Sequence, residues 1–179
     1  MRVLPSAAAA AALLMTGSGL LADDWSYDWK GDSTSERDPA IALAGTGSPA
    51  TSETSLAKQV AALEFAQLAA WNNHDIAGYL RWYWNSPDLL SIGNGDKVVG
   101  YNALSAETYK AFGADPSSMG HTRLDRLRVK MLATDTAVMQ ASFVSSMSKH
   151  VDSIEDTSIV RHFSEGWRIV FESATIHSQ

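Results

Sequence analysis

The sequence predicts an α+β domain in which about three N-terminal helices pack on a curved, mostly antiparallel sheet. Two observations carry this. Between Ser55 and Asn85 apolar residues recur with the spacing of a helix that buries one stripe. From about His121 onward the period switches to two, the alternation of strands whose faces meet different surroundings. Helices gathered ahead of a run of strands pack on one side of the sheet. A sheet bent around them leaves a conical hollow.

The chain opens with MRVLPSAAAAAALLMTGSGLLADD. Arg2 supplies a positive start, Ala7 to Met15 an apolar stretch, and Leu20-Leu21-Ala22 a cleavage site before Asp23. Residues 1–22 therefore read as a signal peptide, and the mature protein is expected in the periplasm or secreted. The apolar run is shorter than the ~20 residues a spanning helix needs, so no stable membrane insertion is expected. Residues 23–54 are rich in Ser, Thr, Gly, Pro and Asp and read as a flexible acidic leader. Within it Trp25, Tyr27 and Trp29 alternate as a short docked strand would, but the flexible reading is preferred. The folded domain is expected over 55–179.

Its first helix places Leu56, Val60, Leu63 and Trp71 on one face, widened by Phe65 and Leu68, with Ser52 or Thr54 as cap. The polar group Asn72-Asn73-His74-Asp75 reads as a corner. Asn tolerates the left-handed conformation that ends a helix, and Asp75 caps the next one. That second helix puts Ile76, Leu80, Tyr83 and Trp84 on one face and stops at Asn85-Ser86-Pro87-Asp88. DLLSIGNGDKVVG reads as a hairpin turning at Asn94-Gly95. Asn102 is expected to cap a third helix carrying Leu104, Thr108 and Phe112, ended by Gly113. Four strands follow. Their shared faces are expected to hold Leu127, Val129 and Met131; then Ala137, Met139, Ala141 and Phe143; then Ile159, Arg161 and Phe163; finally Trp167, Ile169, Phe171 and Ser173.

A net charge of −6 without a run of Lys and Arg leaves no footprint for nucleic acid. The chain has no Cys, so disulfides and thiol anchoring are excluded. No two His residues recur at ligand spacing with carboxylates beside them, and a metal site is not expected. The chain also lacks a GxSxG nucleophile turn, a phosphate-cradling loop and a dinucleotide fingerprint, so no cofactor is expected. GNGDKVVG is glycine-rich but does not open a helix as a phosphate site must.

Four stretches, AAWNNHDIAGYLRWYW, SPDLLSIGNGDKVVGYNAL, MGH and GWRIVFESATIHS, together resemble the nuclear transport factor 2-like superfamily, and more narrowly its SnoaL-like, ketosteroid-isomerase-like branch. The resemblance covers residues 55 to 178. It implies a cone-shaped, cystatin-like roll with an apolar pocket, and a homodimer formed through the outer face of the sheet. Members include isomerases, cyclases, dehydratases and non-catalytic modules, so fold alone does not decide function. The isomerases use a tyrosine, a protonated acid and a carboxylate base. Here the resemblance aligns Gln67 with the tyrosine, Ser91 or Ile92 with the base and an apolar residue near Ile159 with the acid. It sets Ser173 where many relatives carry a pocket histidine. Steroid isomerisation is therefore not expected.

The expected function is to hold a small apolar or aromatic molecule in the hollow, with Gln67, Trp71, Tyr79, Tyr83, Arg161 and Ser173 as ligand contacts. Two alternatives stand beside it. One is a lyase, cyclase or isomerase with His121 as its catalytic base, or else His74; the other is a non-catalytic association module. Arg161 is expected either to meet an anionic ligand group or to pair with Glu172. Asp75 is explained by capping, and His150, His162 and His177 are expected to be exposed.

Overall fold

The structure, a computed structural model, describes residues 25–31, 52–146 and 151–178. The expected signal peptide, most of the expected leader, and His150 lie outside the described residues. In chain order the elements are strand β1 (Tyr27–Lys30), helices α1 (Ser52–Asn72) and α2 (Ile76–Leu80), and strands β2 (Leu90–Gly93) and β3 (Asp96–Val99). Helix α3 (Tyr101–Phe112), a 3-10 turn (Pro116–Met119), and strands β4 (His121–Ala133), β5 (Thr136–Ser146), β6 (Asp152–Phe163) and β7 (Gly166–Ser178) follow.

The seven strands form one sheet in the order β1-β4-β5-β6-β7-β2-β3. Its neighbours are antiparallel except β2 and β7, which run parallel. In β4 and β5 the inward residues are those the alternation predicts. Leu127 lies opposite Ala141 and Val129 opposite Met139, and all four are buried. Helix α1 covers this face with Ala57, Val60, Ala61 and Leu63. Its buried stripe is wide because β1 takes its flank, where Trp29 meets Phe65 edge-on at 5.5 Å between ring centres.

β1 corrects the reading of residues 23–54 as flexible throughout. Tyr27–Lys30 pairs with β4, Asp28 receives two hydrogen bonds from the Arg126 guanidinium, and the Arg128 guanidinium lies over the Trp25 ring. The alternating aromatics are the physical reason, since they suit a pleated, half-buried surface.

The corner forms as a cap. The Asp75 carboxylate accepts the Gly78 N–H at 2.9 Å, and His74, not an Asn, takes the left-handed conformation, with φ of 59°. Asn72 bonds both the N–H and the carbonyl of Thr122 at 2.8 Å, and Trp71 Nε1 donates to the Met119 carbonyl at 3.0 Å. These bonds tie the corner to the start of β4. The hairpin turns at Asn94 and Gly95, both with positive φ, as a two-residue turn matched to strand twist requires.

Three expectations about helices and strands need correction. Helix α2 ends at Leu80, and the chain straightens instead of continuing to Trp84. Trp84 N–H donates to the Ile169 carbonyl, and Ile169 N–H donates to Trp82, both at 2.9 Å. A run of three bulky aromatics before Pro87 favours that extended path. Helix α3 starts two residues earlier than expected, after Gly100, so Asn102 lies in its first turn and is not its cap. In β6 the buried face holds Asp156, Ser158 and Val160, while Ile159 and Arg161 face outward. Apolar residues on both faces, such as Ile159 and Val160, leave the alternation without a sign.

Candidate acidic pocket

Inside the sheet's concave side lies a cavity of about 200 Å³. One wall is α1, where Glu64, Gln67, Leu68 and Trp71 recur at three- and four-residue steps and so share one helical stripe. Tyr79 of α2 completes the helical wall. The sheet supplies Thr122 of β4, Phe143 and Ser145 of β5, Ile154 and Asp156 of β6, and Glu172, Ala174 and Ile176 of β7. The apolar and aromatic side chains make the body of the cavity, and three carboxyls with one amide make its polar end.

Glu172 reaches the cavity through a bulge. Opposite Ile159 and Val160, β7 presents Phe171 and Ile169, so Val170 is an extra residue. The extra residue shifts the alternation by one. Before the bulge Trp167 and Ile169 are buried; beyond it Glu172, Ala174 and Ile176 face the cavity. This corrects the expectation for Ser173, which falls on the opposite face.

The Glu172 carboxylate is held from two sides. Tyr83 donates to it at 2.8 Å and Ser91 at 3.0 Å. Strand β2 delivers Ser91 because its parallel register sets that residue beside Glu172. A bridge between Tyr83 and Ile169 delivers Tyr83. Tyr83 spends its proton on Glu172, so at 2.6 Å Tyr79 is the donor to Tyr83. The result is a directed chain from Tyr79 through Tyr83 to Glu172.

Proton affinities follow from burial and crowding. Burial pushes the Glu64 carboxyl up to about 8, and the nearby charge of Glu172 adds to the rise. Burial holds Asp156 well above the usual carboxylate range, reinforced by Glu172 and Glu64; the Ser158 hydroxyl opposes this with a bond at 2.8 Å. Burial also raises Glu172, but the bonds from Tyr83 and Ser91 work against it. The two tyrosines are raised well above their ordinary value, first by burial and then by Glu172. The two hydroxyl bonds make Glu172 the first of the trio to ionise, while burial and the charge of Glu172 hold the protons on Glu64 and Asp156 more firmly. Gln67 Nε2 and Asp156 Oδ1 are buried and have no hydrogen-bond partner.

Of the sequence-predicted contacts, Gln67, Trp71 and Tyr79 meet at the cavity, and Tyr83 stands behind Tyr79 as a hydrogen-bonding neighbour. Arg161 is exposed, 3.9 Å from Asp135, and pairs with neither the cavity nor Glu172. His121 is exposed at the start of β4, where its neighbour Thr122 points inward, so it does not line the cavity as a base would. His74 is exposed, with Nε2 3.3 Å from the Gly120 carbonyl. His162 and His177 are exposed as expected. The residues missed are Glu64, Asp156 and Glu172. Glu64 was legible, because a lone acid stood between Leu63 and Phe65 in the apolar stretch of α1. Among the described residues no three His, Asp or Glu are placed to hold a metal ion, and no helix is long and apolar enough to cross a membrane.

Comparison with known proteins places this architecture. An NTF2-like protein of unknown function from Shewanella oneidensis is 24% identical, with a TM-score of 0.62 over 65% of this chain and 96% of its own. A cystatin-like fold protein from Burkholderia xenovorans is 20% identical, with a TM-score of 0.57 over 70% of this chain and 94% of its own. A ketosteroid isomerase-like protein from Erwinia carotovora is 16% identical, with a TM-score of 0.55 over 69% of this chain and 97% of its own. These similarities show the fold. No curated protein matches the chain. The family model described as AtzH-like matches residues 51–178, the α1-to-β7 unit that builds the pocket, and the chain belongs to that family within the nuclear transport factor 2-like superfamily.

Proposed function

We propose that the domain binds a small, largely apolar or aromatic molecule in the cavity between α1 and the sheet. The observation that carries this is a cavity with an apolar body whose polar end holds two buried groups, Gln67 Nε2 and Asp156 Oδ1, without partners. A buried polar atom left unpaired costs roughly 1–3 kcal/mol, and a ligand that pairs it recovers that cost. At about 200 Å³ the space suits a compact molecule, below the ~300 Å³ at which drug-sized sites begin. A thermal-shift screen of one-ring aromatic compounds tests the reading. Binding at a hundred times Kd stabilises by about 2.7 kcal/mol, and its loss in Trp71→Ala would place the ligand here. A screen without any stabilised condition would sink the reading.

A second reading is supported by the split in proton affinities. Glu172 is poised to accept a proton, while Glu64 and Asp156 are poised to donate one, the arrangement that acid–base catalysis uses. It replaces the histidine-based lyase or isomerase reading, because the base lines the cavity and His121 does not. It requires turnover that disappears in Glu172→Gln with binding retained. The proposal extends to export, which the N-terminal 22 residues suggest, and to a homodimer through the outer sheet face, which the resemblance of the sequence to the superfamily implies. A mature N-terminus other than Asp23, or a monomer by light scattering at micromolar concentration, would count against each.

A further inference from the structure

We infer that the pocket selects an organic cation: a protonated amine on an aromatic or apolar body, with a hydrogen-bond acceptor beside the nitrogen. This rests on the binding role proposed above and names the chemistry of the ligand's head.

The charge pattern comes first. The ionisable groups that face the polar end are Glu64 from α1, Tyr79 from α2, Asp156 from β6 and Glu172 from β7, with Tyr83 behind Tyr79. Among the described residues no Lys, Arg or His lines the cavity. Three carboxyls thus share the cavity with no basic side chain among the described residues that line it. With Glu172 ionised, the group disfavours a carboxylate or phosphate ligand, and a positive ligand lets the other two carboxyls give up their protons. Among the described residues no three carboxyls are placed to ligate a metal ion.

Two independent features agree. Trp71, Tyr79 and Phe143 line the same cavity, and an ammonium over the face of such a ring gains about 0.5–2 kcal/mol. The unpartnered atoms define the rest of the head. Once an entering cation has displaced the Asp156 proton, the otherwise unpartnered Oδ1 accepts from the ammonium, and Gln67 Nε2 calls for an acceptor. An amino alcohol meets both needs.

Proton linkage gives the inference a signature. Below about pH 8 Glu64 holds a proton, and an entering cation lowers its proton affinity and expels it. Affinity therefore rises with pH in that range, by up to about tenfold per unit for each proton released. A neutral ligand lacks that dependence, and an anion shows the reverse.

The test uses three probes with one phenyl body: 2-amino-1-phenylethanol, neutral 1-phenylethane-1,2-diol and anionic mandelate. Calorimetry of the full chain is run from about pH 6 to about pH 8 in buffers of different ionisation enthalpy. The expected result is the amino alcohol at least about tenfold tighter than the diol, no binding of mandelate, and proton release that grows toward the lower pH. Asp156→Asn and Glu64→Gln should each narrow the preference for the amine. Both keep the side-chain shape and remove repulsion, and the wild-type comparison stands without them. If the diol or mandelate binds as tightly as the amine, the inference is overturned while the pocket reading survives. If no probe binds and one-ring apolar compounds also leave the melting temperature unchanged, both fall.

Discussion

Asp75 and Glu172 are two carboxylates with opposite fates, and their neighbours decide which. Asp75 is exposed and accepts the Gly78 N–H, so it serves the backbone of a helix only five residues long. Asp75→Ala is expected to cost about 1 kcal/mol, read as a shift in urea midpoint, with ligand affinity unchanged. A loss of ligand affinity without a change in midpoint would instead give Asp75 a role in the site. Glu172 lies in the interior, and both of its oxygens accept hydrogen bonds from hydroxyls. The capping role was legible because it depends on residues three positions apart. The role of Glu172 depends on Tyr83 and Ser91, which are 89 and 81 positions away, and no local pattern carries that information.

Among the elements, legibility follows period and length. Helix α1, strand β5 and β4 from Leu127 to Met131 were readable because their apolar residues keep one phase, and the hairpin because Asn94-Gly95 fits a two-residue turn. β6 and β7 were not. In β6 both faces carry apolar residues, and in β7 the extra residue at Val170 reverses the phase halfway along. A bulge is a choice between two registers that the sheet makes, and the alternation read from Trp167 onward then assigns Ser173 the place of Glu172. β1 is the converse case, a real strand hidden in a polar leader. Its hold on the domain is testable through Trp29, which is half-buried against Phe65. Full burial of a large aromatic is worth roughly 3–5 kcal/mol on truncation, so Trp29→Ala is expected to cost about 2 kcal/mol in urea denaturation. An effect within about 0.5 kcal/mol, the range of ordinary surface changes, would mean that β1 adds nothing to the fold.

The whole molecule carries the cost of the acidic pocket as a dependence of stability on pH. Unfolded, the Glu64 carboxyl titrates near 4.5; folded, it titrates at about 8. Between those values the folded chain holds a proton that the unfolded chain has released. Stability therefore falls as pH rises through that window, at up to roughly 1.4 kcal/mol per unit for this group alone. Asp156 and Glu172 are raised as well and act with the same sign. The net charge of −6 adds self-repulsion in the same direction, so the wild-type slope by itself does not isolate the pocket. Glu64→Gln does, because it removes the titrating group and keeps its shape. Urea denaturation between about pH 5 and about pH 8 should show wild type losing stability and the variant losing less, so that the two curves diverge toward the upper end. The same measurement with 2-amino-1-phenylethanol present should flatten the wild-type curve, since a cation offsets the charge that develops as Glu64 ionises. Parallel wild-type and variant curves would mean that Glu64 is ionised in the folded state throughout, and the protonated pair beside Glu172 would have to be abandoned.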